Sequence, residues 1–230
     1  MRFTIETPSD TLLCEEAKSH VLNCKDFDEL DAINLKNYNV ASLKRAPDFD
    51  ISDLLNSLTK LTNFHFQQTS GKERIMLHLK NYLSTLGIHP TKELEYFLGD
   101  IENLIGVFNR LTNTKKVNLL LTVVNTNMCK LFHTDINELR LLCTYKGKGT
   151  LWVDNSNVNW NELNCCNTNE KLIKDQNKVH QAKAFEVLIL KGALHKFNST
   201  HAILHRSPTI EETKQKRLLL RIDKHNFGKL

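Results

Sequence analysis

The segment that organises the chain is Cys129-Lys130-Leu131-Phe132-His133-Thr134-Asp135-Ile136-Asn137-Glu138-Leu139-Arg140. It lies between two strongly apolar runs, residues 117–124 and 139–145, whose composition is typical of buried strands. His133 and Asp135 stand two positions apart, so in an extended chain their side chains leave on the same face, with Cα atoms about 7 Å apart. An imidazole and a carboxylate so placed can bind one metal ion if a third ligand comes from elsewhere.

The His133/Asp135 pair is a weak signal when it is considered without the rest of the chain. Ten histidines among 230 residues make a chance His-x-Asp common. The alternative interpretation is a polar turn between two strands, in which Asp135 accepts backbone hydrogen bonds as an Asx or cap residue. The choice between a ligand pair and a turn therefore depends on the other motifs.

Composition limits the class of protein. With 230 residues, 40% hydrophobic and 25% charged, the chain is long enough for one sizeable core and ordinary for a folded protein. The net charge of +5 includes two short basic clusters, 115–116 and 214–217, which lack aromatic residues and so argue against nucleic-acid binding. No stretch has the length of a membrane helix, and the N-terminus lacks the apolar core of a signal peptide. The six cysteines show no Cys-x-x-Cys spacing, so we expect a cytoplasmic protein without a membrane partner.

Residues 1–115 are predicted to be mainly helical and to form no independent domain. Apolar residues recur at helical spacing over 54–61, 75–83 and 94–108, and a further short helix is predicted over 11–22. Two short alternating pieces, 40–45 and 63–68, are the exceptions and predict strands.

Residues 116–230 change character and predict an antiparallel β core. Strand-like runs separated by turn residues occupy 116–124, 138–145, 150–153, 184–191, 200–206 and 216–223. Between 154 and 182 lies an Asn-rich connector with a short helix. We therefore expect an α+β fold in which the helical N-terminal half packs on a jelly-roll, or double-stranded β-helix, metal-binding core.

The candidate third metal ligand is His205, in the strand-like run Ala202-Ile203-Leu204-His205-Arg206-Ser207-Pro208. Two histidines and one carboxylate leave open positions on the ion, the arrangement of non-haem Fe(II) oxygenases, whereas structural zinc is usually closed by four protein ligands. His195 and His201 compete for this place.

Two arginines in the closing run, Arg217 and Arg221, share one face with Leu219. A buried guanidinium requires an anionic partner, and the distal carboxylate of a dicarboxylic acid such as 2-oxoglutarate could supply it through paired N–H···O bonds. The alternative is an edge strand with both arginines in solvent. Arg140 either supports the metal site, or contacts substrate, or lies on the surface. Lys191 is predicted to be a turn residue.

These residues carry a resemblance to known families. The order of His133-x-Asp135, the 149–152 strand, the 187–192 strand, His205 and Arg217 resembles the Fe(II)/2-oxoglutarate-dependent dioxygenase superfamily. The chain also resembles a bacterial family of unknown function, numbered 1826, through the following strings: Phe132-His133-Thr134-Asp135, Leu139-Arg140-Leu141-Leu142-Cys143-Thr144-Tyr145, Gly149-Thr150-Leu151-Trp152, Leu190-Lys191-Gly192, Leu204-His205-Arg206-Ser207-Pro208 and Arg217-Leu218-Leu219-Leu220-Arg221-Ile222-Asp223.

The resemblance to the dioxygenases implies Fe(II) and 2-oxoglutarate as cofactors. His133, Asp135 and His205 are then the metal ligands, Arg217 binds 2-oxoglutarate and Arg221 lies nearer the substrate, a small molecule or a protein side chain. Two alternatives stay open, a non-catalytic cupin-like protein that binds zinc or iron, and a metal-free interaction domain. The sequence indicates neither the substrate nor the oligomeric state.

Overall fold

The computed structural model describes residues 20–163, 168–196 and 201–224. Four α-helices are present in these ranges: α1 (Ser52–Lys60), α2 (Lys72–Thr85), α3 (Lys92–Thr112) and α4 (Asn169–Leu172). The strands are β1 (Val21–Cys24), β2 (Val40–Leu43), β3 (His65–Ser70), β4 (Val117–Val124), β5 (Leu139–Lys146), β6 (Leu151–Val153), β7 (Val179–Gln181), β8 (Val187–Lys191), β9 (Leu204–Arg206) and β10 (Arg217–Lys224).

The strands form one large and one small sheet. The large sheet has the order β1-β2-β8-β5-β10-β4-β3, and the small sheet has the order β7-β6-β9. All pairs are antiparallel except β1 with β2. At the outer edge of β9, an isolated bridge joins His133 to His205. The segment that carries the His-x-Asp pair therefore continues the small sheet.

The alternation of side chains along β10 shows how the layers are arranged. Leu218, Leu220 and Ile222 belong to a core shared with the helices, whereas Leu219 belongs to a second core that contains Trp152 of the small sheet. Since successive strand residues point to opposite faces, the large sheet lies between a helical layer and the small sheet. The face that carries Arg217 and Arg221 is the one turned toward the small sheet.

Helix α3 begins and ends where its sequence predicts. Thr91 caps the N-terminus by accepting a hydrogen bond from the Leu94 N–H at 3.2 Å, and Asn113 ends the helix in the left-handed region with φ 47°. Its apolar stripe is buried, and Phe97 meets Tyr145 of β5 edge to face, with ring centroids 4.8 Å apart. This contact fixes the longest helix on the large sheet.

A charged network joins α3 to the sheet inside this interface. Arg45 forms a bidentate ion pair with Asp100, and the Tyr145 hydroxyl donates to Asp100 Oδ2 at 2.7 Å. The Arg45 and Asp100 side chains are 17% and 11% exposed, so water does little to stabilise either charge separately.

We expect Asp100→Ala to lower the free energy of unfolding by about 3 kcal/mol or more, because it leaves the Arg45 guanidinium without its carboxylate. Urea denaturation measures the change. The matched control is Glu102→Ala on the same helix. Glu102 is half exposed and lies 3.6 Å from Lys72, so its removal should change stability by less than about 1 kcal/mol. Equal losses in the two variants would contradict the role assigned to Asp100.

The observed elements agree with the sequence in part. The large sheet and the helices give the mixed α+β fold that was expected, and each predicted C-terminal run contains a strand. The expectation of a helical N-terminal half is not confirmed, because the region also contributes β1, β2 and β3 to the large sheet. The helix predicted over 11–22 lies mostly outside the described residues, and Val21 and Leu22 belong to β1. In the described part of the chain, no helix has both the length and the apolar character needed to cross a bilayer.

Candidate metal centre

Backbone pairing places His133 beside His205. The His133 N–H donates to the His205 carbonyl at 3.1 Å, and the His205 N–H donates to the His133 carbonyl at 3.0 Å. The two residues are therefore directly opposite each other across an antiparallel pair, and their ring centroids are 4.6 Å apart. Residues 72 positions apart in the sequence thus present their imidazoles together.

Asp135 lies within reach of both imidazoles. Its Oδ1 is 3.8 Å from His133 Nε2, and its Oδ2 is 3.3 Å from His205 Nε2. One ligand atom from each of the three residues lies within 4.8 Å of the others. Ligands about 2.1 Å from a shared octahedral ion are about 3 Å apart when they are adjacent, so the side chains must move by up to about 2 Å to close the site on a metal. Within the described ranges this is the one group of three or more metal-ligating side chains so placed.

The protonation of His205 suits a metal ligand. The residue is 5% exposed, and burial lowers the pKa of its imidazole from 6.5 to about 4, with the neighbouring Asp135 opposing the shift. The ring is therefore neutral at pH 7, the form that coordinates metals. His133 Nδ1 lies 3.1 Å from the Leu131 carbonyl, and this contact turns its Nε2 toward Asp135.

The backbone at Asp135 is held by the segment that follows β8. The Ala193 N–H donates to the Asp135 carbonyl at 2.7 Å, and the Leu194 N–H donates to the Asn137 carbonyl at 2.9 Å. Gly192 makes this approach possible, because a Cβ at that position would lie 2.2 Å from the Asn137 carbonyl oxygen. The glycine after β8 thus fixes the loop that presents the carboxylate.

Arg140 links Asp135 to a second, buried carboxylate. Its Nη1 donates to Asp135 Oδ2 at 2.5 Å, while its Nε donates to Asp223 Oδ1 at 2.7 Å. Asp223 is 2% exposed and also accepts from Arg221 Nε at 3.0 Å. Of the three roles open for Arg140, the geometry favours support of the metal site, and the surface position is wrong because the side chain is only 12% exposed.

We expect Arg140→Met to weaken metal binding by about 10- to 100-fold, the usual effect of removing a group that orients a ligand. Without the guanidinium, the Asp135 carboxylate is free to rotate away from the two imidazoles. Isothermal titration with Zn(II) measures the affinity. Arg140→Lys should recover part of it, because an ammonium can pair with one carboxylate although not with both. Wild-type affinity in Arg140→Met would contradict the positioning role.

Arg217 is buried without a carboxylate beside it. Its side chain donates to the hydroxyls of Thr144 and Thr150, at 3.1 and 2.6 Å from Nη2, and it forms no ion pair with any described residue. Burial lowers the pKa of the guanidinium to about 10, so it remains charged at pH 7. The edge-strand alternative is wrong, since β10 lies between β5 and β4. Arg221 is more exposed and is already paired with Asp223.

One small cavity is lined by Arg217 and by two of the three candidate ligands, His133 and His205. Its volume is about 70 Å³, room for two or three water molecules. A five-carbon dicarboxylate requires more space than this cavity offers, and one of the lining side chains, Met128, is 53% exposed. The lining residues are Met128, Cys129, His133, Arg140, Leu142, Thr150, His205, Arg206, Ser207, Arg217, Leu219 and Arg221.

The competing residues from the sequence lie elsewhere. His195 lines a separate cavity of about 450 Å³ with its Nε2 3.4 Å from Asn34 Oδ1, and His201 stacks on Trp160 with ring centroids 3.8 Å apart. Lys191 is no turn residue, because it is the buried last residue of β8 and donates to the Leu35 carbonyl at 2.7 Å. Sequence reasoning missed Thr144, Thr150 and Asp223, and no spacing signal marks them.

Fold and site together define a mixed α+β protein with a candidate metal centre of two histidines and one aspartate. The chain belongs to the family described as "Protein of unknown function (DUF1826)", whose model matches residues 24–223. This confirms the family predicted from the sequence motifs. No curated protein matches the chain by sequence.

Several solved structures are similar to this chain at low identity. The full-length Neurospora crassa T7H in complex with alpha-KG is 12% identical over 89% of this chain and 83% of that chain, with a TM-score of 0.46. A candidate 2OG-Fe(II) oxygenase family protein from Caulobacter crescentus is 15% identical over 90% and 87%, with a TM-score of 0.41. A Pseudomonas putida prolyl-4-hydroxylase is 9% identical over 80% and 99%, with a TM-score of 0.34. At TM-scores below 0.5 these likenesses carry no conclusion about this chain.

Proposed function

We propose that the chain is a non-haem Fe(II)/2-oxoglutarate-dependent oxygenase of the hydroxylase type. The single observation that carries this proposal is that Arg217, which is buried and has no carboxylate partner in the described part of the chain, lines the same cavity as His133 and His205. A metal-binding protein without a co-substrate has no use for a desolvated guanidinium at this place, which is costly to bury unpaired. A dicarboxylic acid that chelates the metal at one end would neutralise it at the other.

We further propose that the two sheets form a double-stranded β-helix. From β4 to β10 the chain alternates between the sheets. The large sheet receives β4, β5, β8 and β10, and the small sheet receives the segments between them in sequence, namely the His133 bridge, the pair β6 and β7, and β9. The core then has four strands in the large sheet, in the order β8-β5-β10-β4, and three strands in the small sheet, β7-β6-β9, extended by the His133 bridge. Such an arrangement supports a jelly roll in which the metal ligands lie between the layers.

The ligand set favours an open iron centre over structural zinc. Three protein ligands leave coordination positions for a bidentate acid and for dioxygen, as in facial-triad Fe(II) sites. A structural zinc site would need a fourth ligand, and no fourth side chain joins the group in the described ranges.

The residues of the chain have separate tasks in this proposal. His133, Asp135 and His205 hold the metal, and Arg140 holds Asp135 in place. Arg217, with the hydroxyls of Thr144 and Thr150 around it, binds the distal carboxylate of 2-oxoglutarate. When bound, ferrous iron and 2-oxoglutarate supply the coupled chemistry, in which dioxygen, the keto acid and a substrate C–H group give the alcohol, succinate and carbon dioxide. Leu142 and Leu219 give the cavity an apolar wall.

Anaerobic titration with Fe(II) and 2-oxoglutarate tests the proposal. The purified protein should show a weak visible charge-transfer band only when both are present, because the band requires a keto-acid chelate on Fe(II). Fe(II) alone, or 2-oxoglutarate alone, should give none. Exposed His89 provides a matched control, since His89→Ala should leave the band unchanged.

Two results would overturn the assignment. Tight metal binding without any band on addition of 2-oxoglutarate would favour the non-catalytic zinc or iron protein. No metal binding at all would favour an interaction domain in which the His-x-Asp pair is incidental.

A further inference from the structure

One stretch of the cavity wall is packed less tightly than the rest. Residues 128–131, here called the strap, are four consecutive exposed residues between half-buried Asn127 and buried Phe132. Met128 and Cys129 of the strap line the cavity, whereas most of the other lining residues lie in strands β5, β9 and β10. Even the large apolar side chains of the strap, Met128 and Leu131, are 53% and 42% exposed. A segment with so few buried contacts opens more readily than a packed strand.

Both ends of the strap are anchored. Before it, the Asn127 backbone N–H and side-chain Nδ2 donate to the Glu211 carboxylate at 3.0 and 3.2 Å. After it, Phe132 is 5% exposed and leads directly into His133, which pairs with His205 through two backbone hydrogen bonds. The strap is therefore a short bridge between two fixed points, and the metal ligands lie outside it.

Three hydrogen bonds from other segments hold the strap and the residue after it in the closed position, among the residues that the structure describes. The Ser207 N–H donates to the Cys129 carbonyl at 3.1 Å. The Asn169 side chain supplies the other two, since its Nδ2 donates to the Lys130 carbonyl at 2.9 Å and its Oδ1 accepts from the Phe132 N–H at 2.9 Å. Each such bond has a modest net strength because water competes for the same groups. Asn169 is thus the main fastening of the strap.

The closed strap leaves too little room for the proposed co-substrate. The cavity volume is about 70 Å³, which is less than 2-oxoglutarate requires. Strands β5 and β10 of the wall are hydrogen-bonded to neighbouring strands on both sides, so they are fixed in place. The strap is the part of the wall that is held by few contacts and whose movement enlarges the cavity.

We propose that the strap is an autoinhibitory contact, which excludes 2-oxoglutarate when it is closed and admits it when it is open. This inference rests on the proposed oxygenase function and adds a form of regulation to the same site. While the open form is a minor state, the apparent dissociation constant equals the intrinsic one divided by the open fraction. A change that breaks a contact of the closed strap should therefore raise the affinity for 2-oxoglutarate by the same factor as it raises the open fraction.

Limited digestion with trypsin measures the open fraction, because Lys130 lies in the strap and a protease requires a released, extended chain. Cleavage after Lys148, in the exposed connection that follows β5, is the internal standard. In the ligand-free protein, Asn169→Ala should accelerate cleavage after Lys130 about tenfold relative to cleavage after Lys148, since two hydrogen bonds are lost. Calorimetric titration of the Zn(II)-loaded protein should show a dissociation constant for 2-oxoglutarate that is lower by the same factor.

Two further variants control the experiment. Asn177→Ala removes an exposed asparagine from the same connector and should change neither the cleavage rate nor the affinity. Glu211→Ala removes the acceptor of Asn127 at the other end of the strap and should act in the same direction as Asn169→Ala, so it decides the matter if Asn169→Ala does not fold. The affinity for Zn(II) should stay at the wild-type value in all three variants.

The outcomes separate this inference from the proposed function. Faster cleavage after Lys130 together with unchanged or weaker binding of 2-oxoglutarate would overturn the autoinhibitory role. An unchanged cleavage rate in both Asn169→Ala and Glu211→Ala would show that these contacts do not hold the strap, and would overturn it as well. If neither the wild type nor these variants bound 2-oxoglutarate, the oxygenase itself would be rejected, and with it the co-substrate that the strap is proposed to exclude.

Discussion

Replacing Arg217 by methionine should lower the affinity for 2-oxoglutarate by about a hundredfold or more, without lowering the stability of the ligand-free protein. The first effect follows from the loss of a buried cation that has no carboxylate among the described residues and that lines the same cavity as His133 and His205. The second follows because a guanidinium held only by two hydroxyls is poorly compensated for its lost hydration.

Thermal or urea unfolding measures both effects in one series. Without ligand, the free energy of unfolding of Arg217→Met should equal that of the wild type or exceed it by about 1 kcal/mol or more. The reason is that an apolar side chain of similar length replaces a desolvated charge. With metal and 2-oxoglutarate at 100 times its dissociation constant, the wild type should gain about 2.7 kcal/mol. The variant, with a hundredfold weaker affinity, should gain only about 0.4 kcal/mol from 2-oxoglutarate at that concentration.

Arg221→Met is the matched control for this prediction. Arg221 lies on the same face of β10 and lines the same cavity, but it is paired with Asp223 and is 28% exposed. Its loss should therefore reduce the affinity for 2-oxoglutarate much less than the loss of Arg217. If 2-oxoglutarate raised the free energy of unfolding of Arg217→Met as much as that of the wild type, Arg217 would not bind the co-substrate, and the oxygenase proposal would lose its main support. A large loss of stability in the ligand-free variant would instead show that Arg217 is structural.

The parts of the fold that follow from local patterns could be predicted. The alternation in residues 217–223 correctly separated Leu219 and the two arginines from the leucines that face the helices, because strand side chains alternate strictly. The caps and the apolar stripe of α3 are likewise local. The pairing of His133 with Asp135 follows from their local spacing. His205 is the candidate third ligand because it lies in a strand-like run, whereas His201 follows the turn-like Asn198-Ser199-Thr200.

The parts that depend on pairing between distant strands could not be predicted in the same way. The alternation over 63–68 predicts a strand at this place, but the observed β3 continues to Ser70, and its polar second half is held by hydrogen bonds to β4 rather than by its own periodicity. Thr144 and Thr150 reach Arg217 only through the register of β10 with β5 and through the neighbouring small sheet. Asp223 carries no sequence signal of its own, yet it is the carboxylate that holds both Arg140 and Arg221.

Removal of His205 should abolish the visible band with Fe(II) and 2-oxoglutarate and lower metal affinity by more than the 10- to 100-fold expected for groups that only orient a ligand. His205→Ala leaves one imidazole and one carboxylate, and the buried neutral ring that closes the site is gone. His201→Ala, four residues earlier and stacked on Trp160, should keep the band and the affinity. Asp135→Ala should behave like His205→Ala, because Asp135 lies within 4 Å of both imidazoles. If both variants kept metal affinity while His201→Ala or His195→Ala lost it, the three-residue centre would be wrong, and with it the geometry that places a co-substrate between the metal and Arg217.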